Sequence, residues 1–181
     1  MRASLPIHSV QLRRRLGILS GPSSQVFEEH KTLGWTCEEV FDVVADVGTY
    51  EEFLPWCVGS KVLRDSLMRD SKSFDAELRI GFQGLDIRYI SRVEAERPRM
   101  VQSRVVGSDL FHHLDSVWEL RKGKRPGTTD LTFRVDFAFR SPLYQSFASV
   151  FLDEVCGAMI TAFEERCRKC YGHEDEVLGR E

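Results

Sequence analysis

Residues 141–171 read SPLYQSFASVFLDEVCGAMITAFEERCRKCY, and this stretch decides the fold. Ser141 is a favoured N-cap residue, Pro142 suits the first helical position, and Gly172 suits the helix end. Between these signals apolar residues recur every three or four positions, which predicts one long helix. The predicted apolar stripe consists of Leu143, Phe147, Val150, Phe151, Val155, Met159, Ala162 and Phe163. Because a helix of about 45 Å is not stable alone, we expect the rest of the chain to cover this stripe.

The middle of the chain alternates apolar and polar residues, which is typical of strands with one dry and one wet face. Glycine- or proline-containing turns separate the alternating segments. The alternation covers residues 74–82, 85–93, 101–105, 114–120 and 131–139, and two further strands are predicted at 25–33 and 58–64. These segments predict an antiparallel sheet.

A shorter helical region follows the first predicted strand. Thr36 and Glu39 have the spacing of a capping box, and the apolar pattern behind them predicts a helix to about Val47, ended by Gly48. Residues 49–54 are predicted to make one more helical turn. The whole order predicts an α+β fold in which a curved antiparallel sheet of about six to seven strands wraps around the C-terminal helix.

Composition narrows the classes of protein that fit the sequence. The net charge of −3 gives no indication of a nucleic-acid partner. The five cysteines are odd in number, which favours reduced thiols over a disulfide framework. The sequence contains no run of about 18 apolar residues, so it predicts no membrane-spanning segment. With 42% hydrophobic residues, the chain can bury the core of one domain.

The first 24 residues differ from the rest of the chain. They contain Arg2, Arg13, Arg14 and Arg15 and no acidic residue, a pattern typical of mitochondrial transit peptides. Removal of residues 1–24 would take four positive charges away and change the net charge from −3 to −7. We therefore expect a transit peptide at 1–24, one domain at 25–172 and a disordered tail at 173–181.

The dry face of the predicted sheet offers little chemistry. Its polar groups are Tyr89, Ser91, Ser103 and Ser116, and the alternation places no ionisable acid or base there. General acid–base catalysis needs a group that titrates near neutral pH, so the pattern argues against an enzyme. The aromatic residues of this face fit either a solid core or a ligand cavity, in which hydroxyl groups would meet a head group.

Other candidate sites are weaker. Cys167, Cys170 and His173 have a metal-ligand spacing, but three local ligands without a second cluster do not make a zinc site. His112 and His113 lie in a predicted turn, where a solvated pair is the simpler interpretation. We therefore predict no metal and no catalytic residue.

Residues 49–60, TYEEFLPWCVGS, resemble the signature of the mitochondrial coenzyme Q-binding proteins, which belong to the START-like superfamily that also holds polyketide cyclases. The resemblance runs from about residue 25 to residue 172. Further matching positions are Ala76, Glu77, Leu78, Gly81, Phe82, Tyr89, Ser91, Val93, Leu110, Phe111, Leu114, Trp118, Phe151, Asp153, Met159, Ala162, Phe163, Glu164, Arg166, Tyr171 and Gly172.

The resemblance implies a helix-grip fold around a lipid-sized cavity and a non-enzymatic function. It implies binding of ubiquinone, without a cofactor, in support of the respiratory chain as a lipid chaperone or carrier. It also implies peripheral contact with the matrix side of the mitochondrial inner membrane, with respiratory or quinone-biosynthesis complexes as partners. The expected cavity residues are Phe53, Pro55, Trp56, Phe74, Leu78, Ile80, Phe82, Ile87, Tyr89, Ser91, Leu110, Phe111, Ser116, Trp118, Phe133, Phe137, Phe147, Phe151, Val155 and Met159.

The binding energy of such a ligand can be estimated. One buried isoprene unit offers roughly 3–4 kcal/mol, whereas micromolar binding needs about 8 kcal/mol after association costs of about 4–15 kcal/mol. Four to six buried units would be enough, with Tyr89 or a serine meeting a quinone oxygen. Two alternatives remain open: a polyketide cyclase or aromatase, and a protein that resembles the ribosome-associated toxins of the same superfamily. The latter should show a basic stripe.

Overall fold

The computed structural model describes residues 24–63, 73–82 and 84–172. The expected transit peptide and the expected disordered tail therefore lie outside the described residues, apart from Ser24. Nothing in the structure tests these two predictions.

Seven strands form one antiparallel sheet, as the alternating sequence pattern predicted. Their order in the sheet is β1-β7-β6-β5-β4-β3-β2, so that β1 and β2 are the edges. The strands are β1 Gln25–Leu33, β2 Cys57–Leu63, β3 Ser73–Phe82, β4 Leu85–Glu96, β5 Met100–Val105, β6 Phe111–Lys122 and β7 Thr129–Phe139. Among these described strands, the pair of β1 and β7 joins strands that are distant in sequence.

The first helix, α1, covers Cys37–Ala45 and begins with the predicted capping box. The backbone N–H of Thr36 donates to the Glu39 carboxylate at 2.8 Å, and the N–H of Glu39 donates to Oγ1 of Thr36 at 3.3 Å. The predicted end of this helix was wrong. After Ala45 the chain tightens into a 3₁₀ helix, Val47–Glu52, which contains Gly48. The Thr49 N–H donates to the Asp46 carbonyl three residues earlier, which is the bond spacing of a 3₁₀ turn.

The long helix, α2, covers Pro142–Tyr171, as predicted. Ser141 is its N-cap but makes no side-chain capping bond, and Gly172 ends it with a φ of 93°. Two residues of the predicted stripe face the opposite way: Leu143 is 76% exposed and Val150 is 72% exposed. They lie seven residues apart, and therefore on one face of the helix, which points away from the sheet.

The inner face of the sheet is the face that α2 covers, and the C-terminal half of α2 contributes buried residues such as Ile160, Phe163 and Cys167 to it. There the ring of Trp118 lies 4.3 Å from that of Phe133 and 4.6 Å from that of Phe163, measured between centroids. The first helix adds Val40 and Val44, which are both fully buried. This half of the inner face is a solid aromatic core.

Candidate functional site

A cavity of about 200 Å³ lies between the sheet and the N-terminal half of α2. The sheet residues that line it lie near one end of the sheet: Ile80 pairs with Ile87, and Phe111 pairs with Phe139. From the helix, one face contributes Tyr144, Ala148, Phe151, Leu152 and Val155. The cavity is partly open to solvent, and its lining is almost entirely apolar.

Four aromatic rings form a continuous series along the cavity wall, which we call the aromatic arc. Tyr89 meets Phe111 edge-on at 5.8 Å, Phe111 stacks on Phe139 at 4.5 Å, and Phe139 lies 5.8 Å from Tyr144. Rings in such tilted and stacked arrangements present both faces and edges to a neighbour. The arc therefore suits a flat ligand ring.

Trp56 closes the cavity on the side of β2. Its backbone has a φ of 64°, a conformation that non-glycine residues rarely adopt. The Trp56 carbonyl accepts a hydrogen bond of 2.8 Å from the N–H of Gly81 on β3, which holds this conformation. The tight turn between the 3₁₀ helix and β2 thus directs the indole ring toward the cavity.

The polar groups of the lining include two phenols. Tyr89 and Tyr144 both line the cavity, and neither hydroxyl has a hydrogen-bond partner among the residues that the structure describes. Burial raises the pKa of Tyr89 above its ordinary value, with a smaller contribution from Cys57. Tyr89 therefore stays protonated and is able to donate a hydrogen bond. The described lining contains no carboxylate, imidazole, ammonium or guanidinium group.

The structure places the predicted cavity residues in three groups. Those that line the cavity are Trp56, Ile80, Ile87, Tyr89, Phe111, Phe137, Phe151 and Val155. Those with described side chains that are not among its lining are Phe53, Pro55, Phe74, Leu78, Ser91, Leu110, Ser116, Trp118, Phe133 and Met159. The side chains of Phe82 and Phe147 lie outside the described part of the chain.

The strand residues of the second group share a physical reason. Strand alternation tells which face a residue lies on, but not how far along the strand α2 begins to fill that face. Trp118 and Phe133 belong to the solid core. The hydroxyl groups of Ser116 and Ser103 form a hydrogen bond with each other at 2.9 Å, so Ser116 does not face a ligand. Phe53 packs edge-on against Phe163 at 5.2 Å.

Five lining residues were missed by the sequence analysis. They are Leu114, Phe139, Tyr144, Ala148 and Leu152. Tyr144, Ala148, Phe151, Leu152 and Val155 are themselves spaced as an apolar helical stripe, so the helical period contains a signal for the three helix residues in this set. The sequence places Leu143 on an equally apolar face, which made the choice between the two faces ambiguous.

The expectation that the inner face carries no ionisable group was wrong at its β1 edge. Glu29 and Phe133 are register partners, so Glu29 lies on the inner face, and Lys31 follows it there. Lys31 Nζ lies 2.6 Å from a Glu164 oxygen of α2. Burial raises the pKa of Glu29. None of these groups lines the cavity.

On the outer face, acidic and basic side chains neutralise one another across strands. Arg92 pairs with Asp75, and Arg88 pairs with Glu77 at 2.5 Å. Arg104 pairs with Asp115 at 3.0 Å. His113, predicted in a turn, lies on β6 and contacts Asp136 at 2.7 Å. These pairs leave no basic stripe on the described strands.

The described residues contain no cluster of side chains suited to a metal ion. Cys167 is buried and Cys170 is exposed, while His173 lies outside the described residues. All five cysteines are free thiols. Among the described helices, none combines the length and the apolar character that a bilayer-spanning segment needs.

Comparisons with known proteins agree with this architecture. Residues 34–164 match the family model for polyketide cyclase/dehydrase and lipid transport proteins. The chain is 37% identical to the mitochondrial coenzyme Q-binding protein COQ10 homolog B of Xenopus laevis, over 98% of this chain and 72% of that protein. It is also 29% identical to the ribosome association toxin RatA of Pseudomonas aeruginosa, over 77% of this chain and 93% of the toxin.

Among solved structures, the Zhui aromatase/cyclase of Streptomyces sp. R1128 has a TM-score of 0.70 with 16% sequence identity. The similarity covers 81% of this chain and 96% of the cyclase. At that identity the likeness concerns the fold alone. The helix-grip arrangement of sheet and C-terminal helix is therefore confirmed.

Proposed function

Because the chain belongs to the mitochondrial coenzyme Q-binding protein family of the START-like superfamily, we propose that it binds ubiquinone in the cavity beneath α2. In this role it is a lipid chaperone or carrier that supports the use of the quinone in the respiratory chain. The protein needs no cofactor for this task. The single observation that supports the proposal is an apolar cavity whose wall carries two phenol donors, Tyr89 and Tyr144.

The chemistry of the lining matches that of a quinone. A quinone is a flat ring with carbonyl oxygens that accept hydrogen bonds, and it has no donor of its own. Tyr89 and Tyr144 carry hydroxyl groups on a largely apolar wall, and these hydroxyls are donors that other residues of the described chain do not use. A few oriented polar groups in an apolar pocket are the usual arrangement of a small-molecule site.

We propose binding and not catalysis because a cyclase needs a group that exchanges protons near neutral pH. The titratable side chains of the described lining are phenols, and the pKa of Tyr89 is raised by burial. The ionisable pair of Lys31 and Glu164 lies at the β1 edge, away from the cavity. The absence of a carboxylate or imidazole from the described lining therefore supports binding over catalysis.

The ribosome-binding alternative finds less support. A surface that binds ribosomal RNA needs unpaired lysine or arginine side chains to meet phosphates. On the outer face of this sheet, Arg88, Arg92 and Arg104 are engaged with carboxylates of neighbouring strands. The quinone-binding proposal accounts for the cavity, whereas the RNA-binding alternative does not.

Location and partners belong to the same proposal. The mitochondrial relative supports a mitochondrial location, and a quinone ligand supports peripheral contact with the matrix side of the inner membrane. Respiratory or quinone-biosynthesis complexes are the proposed recipients of the ligand. Residues 1–24, which are arginine-rich and contain no acidic residue, would act as the mitochondrial targeting sequence.

Extraction of the purified protein tests the proposal. The full chain is expressed in a host that makes ubiquinone, purified without detergent and extracted with organic solvent, and the extract is analysed by mass spectrometry. A matched variant, Ala148→Trp, places a bulky ring in the cavity and serves as the control. We expect ubiquinone from the wild type and little from the variant. Equal amounts from both proteins would contradict binding in this cavity.

A further inference from the structure

The size of the cavity limits how much of a ubiquinone it is able to enclose. Pockets that enclose a whole drug-sized ligand measure about 300–1,000 Å³, whereas this cavity measures about 200 Å³. The four to six isoprene units expected from the sequence therefore do not fit beside the ring. The space suits either the ring alone or a short piece of tail.

The residues that line the cavity distinguish between an enclosed ring and an enclosed piece of tail. Hydrocarbon in the cavity would leave the Tyr89 hydroxyl buried without a partner, which is costly, whereas a ring carbonyl would accept its hydrogen bond. The aromatic arc of Tyr89, Phe111, Phe139 and Tyr144 also offers flat surfaces to a flat ligand. The wall favours the ring over the tail.

The surface beside the cavity offers a place for the tail. Leu143 and Val150 lie on the outer face of the same helical turns whose inner face lines the cavity through Tyr144, Ala148 and Phe151. These two are the most exposed large apolar side chains of the described chain, at 76% and 72%. Two turns of helix, about 10 Å, separate them.

Charged residues mark the limits of this apolar surface. Arg140 precedes the helix and is exposed, and its Nε donates to the Ser108 carbonyl at 3.2 Å. Asp153 and Glu154, both exposed, follow within about one turn of Val150. An arginine at one end suits lipid phosphates, while the two acids stop the helix from entering deeper. The pattern fits a helix start that rests in the surface of a bilayer.

We propose that the cavity encloses only the ring of a ubiquinone, while the isoprenoid tail stays outside along Leu143 and Val150 in the hydrocarbon of a bilayer. This inference rests on the proposed function and specifies it. On the membrane, the protein would hold the reactive ring out of the bilayer while the tail stays in it. A ubiquinone that leaves with the protein would keep its tail along the same face of α2. Tail length would then matter little for affinity in solution.

A series of ubiquinones with none, one, two and three isoprene units tests the first half of the proposal. The full chain is titrated in detergent-free buffer, and quenching of tryptophan fluorescence reports binding beside Trp56. Because the tail lies outside the cavity, we expect Kd to tighten by less than about tenfold between one and three units. Each isoprene unit enclosed in the cavity would instead tighten Kd by roughly 10²–10³-fold. Tightening of that larger size at each step would show that the tail is enclosed.

The same titration separates this inference from the proposed function. If the ring without a tail binds and longer tails add much affinity, ubiquinone binding stands and the ring-only inference is overturned. If no member of the series binds, the proposed function fails, and the inference fails with it.

Vesicles of phosphatidylcholine that contain a long-tailed ubiquinone test the second half. The double variant Leu143→Ser/Val150→Ser removes the apolar surface, and the matched control Val26→Ser/Ile90→Ser removes exposed apolar side chains from the outer face of the sheet. We expect the first variant to co-float with vesicles about tenfold less than wild type, since membrane affinity scales with buried apolar area, and the control to match wild type. Wild-type flotation by Leu143→Ser/Val150→Ser, or an equal loss in the control, would overturn the proposal.

Discussion

The substitution Tyr89→Phe is the sharpest probe of the site, because it removes one oxygen atom and leaves the ring in place. The Tyr89 ring packs edge-on against Phe111 at 5.8 Å, and phenylalanine keeps this contact. The hydroxyl has no partner among the described residues, so its loss leaves no described group unsatisfied. The free energy of unfolding should therefore change little, while the bound quinone loses one donor.

The expected size of the effect is that of one net hydrogen bond, about 0.5–1.5 kcal/mol. This corresponds to a Kd for the ubiquinone ring that is roughly 2–13-fold weaker. Isothermal titration calorimetry with a short-tailed ubiquinone measures the Kd, and thermal denaturation measures stability in the same samples. The pH is held near neutral, well below the pKa of Tyr89, which burial raises.

The substitution Tyr50→Phe is the matched control. The Tyr50 side chain is partly buried, its hydroxyl donates to the Val44 carbonyl at 2.5 Å, and Tyr50 is not among the residues that line the cavity. Its loss should reduce stability by about 1 kcal/mol and leave the Kd unchanged. An unchanged Kd in Tyr89→Phe together with a lowered melting temperature would refute the assigned role of Tyr89. Turnover of a bound lipid that depends on Tyr89 would move the protein to the enzymes.

Three further predictions concern other parts of the chain. The pair Leu110→Ser/Phe111→Ser should destabilise the protein by about 3–5 kcal/mol in chemical denaturation, because Phe111 is only 5% exposed and stacks on Phe139. Intact stability together with slowed quinone exchange with liposomes would instead indicate that Leu110 and Phe111 gate the entrance of the cavity. Native protein treated with iodoacetamide at neutral pH should be modified at exposed Cys170 and not at Cys156 or Cys167, whose pKa burial raises to about 12. Peptide mapping checks this, and equal labelling of Cys156 would contradict it. A reporter fused to residues 1–24 should enter mitochondria because the segment is arginine-rich and acid-free, and a cytosolic reporter would argue against the transit peptide.

Local signals in the sequence determined much of the fold. The Thr36–Glu39 capping box and the period-two alternation act over a few residues, so they could be identified without knowledge of the tertiary structure. The end of α1 could not, because the change to a 3₁₀ helix depends on backbone bonds such as that from Thr49 to Asp46. The alternation assigned the inner face correctly for Tyr89 and Phe137, which both line the cavity.

The division of that face into core and cavity was not accessible in the same way. Trp118 and Phe137 lie on the same face of neighbouring strands, yet only Phe137 is among the cavity lining. What separates them is the side chain that α2 sets opposite each position: Phe163 fills the space beside Trp118, whereas Ala148 leaves space at the other end. This pairing depends on how the helix lies on the sheet, which no local pattern encodes.

The split of the inner face also bears on how such a fold acquires new ligands. The solid half, with Trp118, Phe133 and Phe163, carries the packing energy, whereas the cavity half is built around small or end-of-strand positions such as Ala148 and Phe139. Substitutions in the cavity half would change the shape of the cavity without weakening the core in the solid half. A scaffold divided in this way is able to accept different hydrophobic ligands while it remains folded, which agrees with the rule that one fold hosts many unrelated functions.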